Sequence, residues 1–319
     1  MPESQVNIME KAMRMQRHLS VIILNWNAAA DTIRCAQSVL QWQNINPSVL
    51  IVDNASQEDD IKRIKHACPT LQVICNSANR GFAGGNNQGI MAALEIIDAP
   101  VLLLNNDAVI KEDGVEKLLE TLTIAPNIGF VGPLLFEASD KKRLLAAGGR
   151  NPVLHHHSHI MNLKPGPRVR SVDYVPGTAV VIRPEVFEEV GLLDEDYFFT
   201  MEIADLCKRA YQKGYRSVID TQSKAFHALD RSQTLRRTLH AYYIIRNRFL
   251  FIRKFYPSRK IPLLSVWTLY SWALMLKMYL VKSCESAHAI QLGLQDGLTG
   301  RFNRQNERLT RFLDNHCRS

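Results

Sequence analysis

The 319-residue sequence lacks the marks of several protein classes. Its six cysteines, at 35, 68, 75, 207, 284 and 317, include no Cys-x-x-Cys pair and no metal-ligand spacing. That excludes a zinc ribbon or a disulfide-stapled scaffold and makes free thiols in a reducing compartment the expectation. Residues 1–18 are not expected to act as a secretory leader, because they mix Glu3, Glu10, Lys11, Arg14 and Arg17 with apolar side chains and hold no apolar core. The first apolar run, Leu19 to Leu24, is too short to span a bilayer. The catalytic part is therefore expected in the cytoplasm. No Gly-x-Gly-x-x-Gly follows that first run, which counts against a dinucleotide-dependent oxidoreductase. There is no internal repeat and no low-complexity tract.

What is present describes a folded, basic α/β protein. Hydrophobic residues make up 46% and charged residues 22%, which excludes disorder as the main theme. The formal net charge of +8 favours a polyanionic partner: nucleic acid, an anionic membrane surface or a phosphate-bearing substrate. The first half alternates short apolar runs with helical patterns. Strands are expected at 19–24, 48–52, 71–75 and 100–104, and helices at 31–42, 58–67, 86–97 and 113–124, the first capped by Asp31. This rhythm implies a parallel sheet with helices on both faces. From 128 to 182 Gly/Pro punctuation predicts irregular strands and a loop, with a strand at 174–183. Short helices follow at 184–190, started by Pro184, and 202–213.

In such sheets ligands bind beyond the carboxyl ends of the strands. The polar residues placed there are Asn25 and Asn27, Asp53 to Ser56, Asn79 to Asn87, and Asn105-Asn106-Asp107. A carboxylate leaving a strand, as Asp107 does, suits a divalent cation on diphosphate oxygens, because Mg²⁺ and Mn²⁺ need few protein ligands. Asp53 would accept from a nucleobase N–H or ribose hydroxyls. The run Asn79-Arg80-Gly81-Phe82-Ala83-Gly84-Gly85-Asn86 allows close backbone approach and opens a helix whose N-terminus favours phosphate. Each feature has a plain alternative, an Asx turn or a helix cap. His155-His156-His157-Ser158-His159 has no flanking carboxylate or cysteine at ligand spacing, so a polar, mobile loop is expected there rather than a zinc site.

In order along the chain, VIILNWN, IVDNAS, NRGFAGGNNQG, LLLNND, VPGTAVVIR, GLLDEDYFFTMEIADLCKRA and RNRFLFIRKFYP resemble family 2 glycosyltransferases, in particular the rhamnosyltransferase-like branch of bacterial cell-surface polysaccharide synthesis. The likeness spans about residues 19–256. It implies a GT-A fold, a nucleoside-diphosphate sugar donor, a divalent metal (Mg²⁺ or Mn²⁺) and inversion at the anomeric carbon. Carried over, Asp53 would contact the base. Asn54, Arg80, Gly81, Asn86 and Asn106 would line the donor with Asn25 and Asn27. Asp107 and His227 would hold the metal, and Gly177 and Thr178 would lie by the reacting sugar or acceptor.

One departure bears on mechanism. The family's Glu-Asp pair, which supplies the catalytic base, reads Glu202-Ile203 here, and isoleucine takes no proton. An inverting transfer needs a base for the acceptor hydroxyl. Glu202 is the first candidate and Asp205 the second. A pseudo-enzyme that binds a nucleotide sugar without transfer is the alternative.

The division expected is an N-terminal extension (1–18), a GT-A catalytic domain (19–234) and a helical basic and aromatic C-terminal region (235–319). In the last, Arg236, Arg237, Tyr242, Tyr243, Arg246, Arg248, Phe249 and Arg253 interleave, and the apolar stretch Ile261 to Leu276 follows. That stretch fits an interfacial helix or one packed on the core, and its flanking cations favour an anionic membrane over nucleic acid. The protein is thus expected in the cytoplasm, peripheral on the inner face of the membrane, acting on a glycan or lipid-linked acceptor.

Overall fold

A computed structural model describes residues 18–228 and 234–317. All but the last residue of the expected N-terminal extension lies outside the described residues. The chain runs β1 (His18–Asn25), α1 (Ala29–Leu40), β2 (Asn46–Asp53), α2 (Glu58–Ala67), β3 (Gln72–Cys75), α3 (Gly81–Ile96), β4 (Val101–Asn105), β5 (Ala108–Ile110) and α4 (Glu112–Thr123). It continues with β6 (Ile128–Glu137), β7 (Leu144–Ala146), β8 (Val169–Val172), β9 (Ala179–Ile182), α5 (Pro184–Val190), α6 (Glu202–Gln212) and β10 (Arg216–His227). Four helices close it: α7 (Thr234–Phe255), α8 (Lys260–Leu280), α9 (Cys284–Thr299) and α10 (Asn306–Cys317).

The strands form one mixed sheet in the order β3-β2-β1-β4-β9-β6-β10-β5, with β7 on β6 and β8 on β10. β1, β2, β3, β4, β6 and β10 share one direction, and β5, β7, β8 and β9 run against it. Successive side chains on a strand point to opposite faces. Val21 and Ile23, Ile51, Leu102 and Leu104 thus meet α1, α2 and α4 on one side. Ile22, Leu50 and Val52, Val101 and Leu103 meet α3, α5 and α6 on the other. Because both faces are covered, these strands read as continuous apolar runs.

Residues after 234 share that second core. Ile245, Phe249, Phe251 and Ile252 of α7 and Trp267 of α8 join the same cluster as Ile22 and Val52. The sheet and the C-terminal helices are therefore packed on one another.

Several local expectations are corrected. Helix α1 begins at Ala29, so Asp31 is not its cap but sits in its first turn, paired with Arg34. Helix α3 begins at Gly81, five residues before the expected start, so the glycine run is helical. The segment 128–182 contains the ten-residue buried strand β6 near the centre of the sheet. β10 was not expected at all. Its sequence RSVIDTQSKAFH breaks alternation because Asp220 and Ser223 are buried and hydrogen-bonded, to Thr121 Oγ1 and the Gly114 carbonyl, where the ladder shifts register.

Candidate functional site

The crossover through α1 leaves on one face of the sheet and that through α3 on the other, so strand order reverses at the β1–β4 boundary. That is the switch point where open α/β sheets bind ligands. Its polar strand ends form a network. Asn25 Nδ2 donates to Asp53 Oδ1 at 2.7 Å and to Ser56 Oγ at 3.0 Å. Thr32 Oγ1 donates to Asn25 Oδ1 at 2.7 Å, and Asn106 Nδ2 donates to Thr32 Oγ1 at 3.0 Å. The Ser56 N–H donates to Asp53 Oδ2 at 3.0 Å. Asp53 is wholly buried and presents no open oxygen to a nucleobase in this conformation. Its two oxygens tie the ends of β1 and β2 together. Asn27 is exposed, with φ of 51°, and its side chain accepts from the Gln57 N–H. Between Asn25 and Asn27, Trp26 is 43% exposed.

The antiparallel β5–β10 ladder sets His227 opposite Ala108, and the Ala228 N–H donates to the Asp107 carbonyl at 2.8 Å. This brings His227 Nε2 to 2.9 Å from Asp107 Oδ1, with both side chains about one-tenth exposed. Two cis ligands of one octahedral ion, each about 2.1 Å from it, lie about 3 Å apart, so the pair fits a shared divalent cation. Among the described residues no group of three or more His, Cys, Asp or Glu gathers to hold a metal. A two-residue set suits a cation that completes its sphere with diphosphate and water.

The glycine-rich run is fixed by contacts within the protein. The N–H of Phe82 donates to the Phe198 carbonyl at 2.7 Å, so the start of α3 is capped by protein rather than left for phosphate. A Cβ on Gly81 would stand 2.2 Å from that carbonyl, and the residue's φ of +72° also requires glycine. Asn54, almost fully buried, donates to the Gly81 carbonyl and accepts from the Arg80 N–H. Asn86 donates to the Phe82 carbonyl of its own helix. Gly81, Asn54 and Asn86 thus hold the loop and do not line an open pocket here. Arg80 is partly exposed and pairs with Glu195 at 3.1 Å.

The third wall is the loop entering α6. The Thr178 carbonyl accepts from the Asn105 N–H at 2.9 Å, joining the end of β4 to Gly177-Thr178. A Cβ on Gly177 would lie 2.9 Å from Ile203 and 3.3 Å from Phe82, so Ile203 fills the core there and faces no cleft. Glu202 is 5% exposed, and its Oε2 has no hydrogen-bond partner among the described residues. Burial, with Asp205 nearby, pushes its pKa up to about 7, against the opposing pull of its own backbone N–H. Asp205, the second candidate base, is committed to two ion pairs in this structure. One oxygen takes Arg209 Nε at 2.6 Å, the other takes Lys254, and the side chain is wholly buried.

Phe198, Thr200 and Met201 carry φ of 59°, 70° and 70° immediately before Glu202. Such backbone costs roughly 1–3 kcal/mol per residue and persists only where its surroundings over-determine it. Helix α7 does so. Asn247 Nδ2 lies within 3.0 Å of the carbonyl oxygens of Tyr197, Phe199 and Thr200. Arg246, fully buried, donates to the carbonyls of Asp196 and Tyr197 and stacks over Tyr243 at 4.6 Å. Lys254 reaches Asp194 at 2.6 Å. Tyr242, Tyr243, Arg246, Arg248 and Phe249 of the basic and aromatic region are buried.

With this geometry in view, the comparisons are specific. The model of "Glycosyl transferase family 2" matches residues 20–191. The chain belongs to family 2 of the glycosyltransferases. The family 2 enzyme is 28% identical over 247 residues to the low-salt glycan biosynthesis hexosyltransferase of Haloferax volcanii, covering 73% of this chain and 74% of the relative. It is 25% identical to a dTDP-rhamnosyl transferase of Shigella flexneri, covering 75% and 81%. A Mycobacterium tuberculosis N-acetylglucosaminyl-diphospho-decaprenol L-rhamnosyltransferase is also 25% identical, covering 56% and 66%. The mannosyltransferase of Pyrobaculum calidifontis, solved with GDP-Man and Mn²⁺, superposes with a TM-score of 0.59 at 14% identity, covering 89% and 87%. GalNAc-T7 with UDP, GalNAc and Mn²⁺ gives 0.55 at 16%, covering 66% of this chain and 44% of that one. The fold of this glycosyltransferase is GT-A.

Reading from residues missed Trp26, Thr32 and Asn247, and placed Ser56 only as one of the polar residues at a strand end. Trp26 stands in the quoted run VIILNWN and Asn247 in RNRFLFIRKFYP, so the resemblance contained both without assigning them a role. Asn247 carries a testable consequence. Asn247→Ala removes a donor shared by three carbonyls of the loop before Glu202, leaving Tyr197 held by Arg246, and a displacement of about 1 Å costs about a hundredfold in rate. Steady-state kinetics of the variant is expected to show kcat reduced ten- to about a hundredfold with donor KM nearly unchanged. A matching rise in donor KM would assign the loop to binding instead.

Proposed function

We propose that this glycosyltransferase transfers a hexose or deoxyhexose, such as rhamnose, from a nucleoside-diphosphate sugar to a hydroxyl of a glycan, in the assembly of a lipid-linked cell-surface polysaccharide, with inversion. The observation that carries the reading is Glu202: a buried carboxyl, with an oxygen unpartnered among the described residues and its pKa raised to about 7, on the helix that packs against Gly177. A base tuned near neutrality combines enough ionised form with enough basicity to take a proton. In the step proposed, the acceptor oxygen attacks the anomeric carbon as its proton passes to a Glu202 oxygen. The bond from that carbon to the diphosphate oxygen breaks, and the electron pair leaves with the nucleoside diphosphate.

Asp107 and His227 would hold Mg²⁺ or Mn²⁺. A cation there, when bound, offsets the charge developing on the diphosphate. Trp26, exposed next to Asn25 in sequence, offers a ring on which the donor base could stack, and the hydrogen-bonded Asn25, Thr32 and Asn106 order the polar strand ends. The names of the relatives in Shigella and Mycobacterium support a rhamnosyl donor and a lipid-diphosphate acceptor.

Ile203 favours one competing reading, binding without transfer. A single assay separates them. Purified protein with Mn²⁺ or Mg²⁺ is offered UDP-, dTDP- and GDP-sugars, with and without a membrane glycolipid extract, and nucleoside diphosphate is measured. Release that needs donor, metal and extract is expected. Tight metal-dependent donor binding with no release on any acceptor would leave only the binding reading.

A further inference from the structure

Helix α8 has two unlike faces. Trp267 faces inward: its indole N–H donates to the Val153 carbonyl at 3.0 Å, and the Arg248 guanidinium lies 3.7 Å over its ring. Ser271, one turn on, is also buried. The opposite face carries Ile261, Val266, Leu269, Trp272, Leu276 and Leu280, each more than half exposed. The segment Pro257–Leu280 is long and apolar enough to span a membrane, yet only 11% of its most apolar stretch is buried inside the protein. A folded chain seldom leaves so long an apolar face to water.

Charge complementarity decides what covers it. From Arg231 to Cys284 the sequence contains eleven lysines and arginines and no aspartate or glutamate. Some of these cations serve the interior, as Arg246 and Lys254 do. Arg259, Lys277 and Lys282 stand exposed at the two ends of α8, with no carboxylate partner among the described residues. An apolar stripe bounded by cations and carrying an exposed tryptophan matches the headgroup and acyl boundary of an anionic bilayer.

The inner contacts decide the orientation. α8 is held along its middle to the loop at Val153 and packs against α9, which packs on α7. Crossing the bilayer would pull the hydrogen-bonded loop and Arg248 into hydrocarbon. We propose that the outer face of α8 is a monotopic docking surface, lying flat in the interface of an anionic lipid bilayer.

The surface needs neither donor nor acceptor, so it is tested independently of sugar transfer. The full chain is floated with phosphatidylcholine vesicles, with and without phosphatidylglycerol, at low and high salt. Flotation with the anionic vesicles is expected, weakened by salt and by omission of phosphatidylglycerol. The double variant Leu269→Glu/Trp272→Glu should lose binding by at least about a hundredfold. Its melting temperature and its turnover on a water-soluble acceptor should be unchanged. Lys277→Gln should cost about fivefold.

Three results would overturn the proposal. One is the absence of flotation with either vesicle at low salt. Another is a wild-type dimer, by sedimentation equilibrium, that the double variant splits, since a second copy would then cover the face. The third is resistance of the bound protein to alkaline carbonate, which would mean a spanning helix. Loss of transfer in the donor assay with flotation intact would sink the proposed function and leave the docking surface standing.

Discussion

Glu202→Gln is expected to reduce turnover by about a hundred- to ten-thousandfold while leaving donor binding intact. The amide keeps the shape of the side chain and removes only its capacity to take a proton. Wild-type kcat/KM should fall below a pH of about 7, because the base is then protonated, and reach a plateau above it. The variant's residual activity should show no such step. The same substitution should make the protein more stable. Burial raises the folded pKa from the ordinary 4.5 to about 7, so the folded state binds the proton more tightly than the unfolded chain. That advantage is complete below pH 4.5 and is lost as pH rises to about 7. At pH 8 the wild type bears the full cost of a buried carboxylate, on the order of 3 kcal/mol, and glutamine bears none. Melting curves at pH 5 and pH 8 should show the variant's advantage widening at the higher pH. An inactive variant with no widening would assign Glu202 to structure and reopen the search for the base.

Asp107→Ala is expected to lower kcat/KM by about a thousandfold, and chelation of divalent cations should do the same to the wild type. The carboxylate would be one of two protein groups on the cation, so the remaining imidazole alone holds it poorly. His227→Ala should cost about tenfold to a hundredfold, within the range that ligand-supporting changes produce. Calorimetric titration of nucleoside diphosphate with and without Mn²⁺ checks the point without turnover. Metal should strengthen binding to the wild type and have little effect on the variant. Metal-independent turnover that survives Asp107→Ala would remove the cation from the mechanism.

The parallel half of the sheet was legible because burial on both faces writes itself as unbroken apolar runs, such as VIIL in β1 and VLLL in β4. The polar ends of those strands could be named for the same reason, since their positions follow from the runs. β10 could not be read, because its buried Asp220 and Ser223 are satisfied by partners about a hundred residues away in sequence. The meeting of Asp107 with His227 is a product of that strand and was reachable only through the family likeness. Arg246 and Arg248 were misread for a different reason. A run of arginines looks like surface, and only the carbonyls of the 196–200 loop explain why Arg246 is inside. Ile203 shows the opposite limit. Sequence marked it as a missing base, whereas packing against Gly177 shows that a carboxylate there would be buried next to Glu202.

The hold of Asn247 on the loop before Glu202 has a bearing on how the chain is made. Asn247 lies 50 residues downstream of Tyr197, whose carbonyl it holds. A ribosome adding about 5–20 residues per second releases the loop several seconds before its clamp. Through that interval β1 to β4 already have their partners, while the left-handed turn at Phe198 to Met201 has none of its fixing contacts from α7. The nascent polypeptide is thus sheet-competent well before it is catalysis-competent. A ribosome stalled between the two points would display a folded core without an ordered base, and the final maturation step would be the docking of a helix rather than the pairing of a strand.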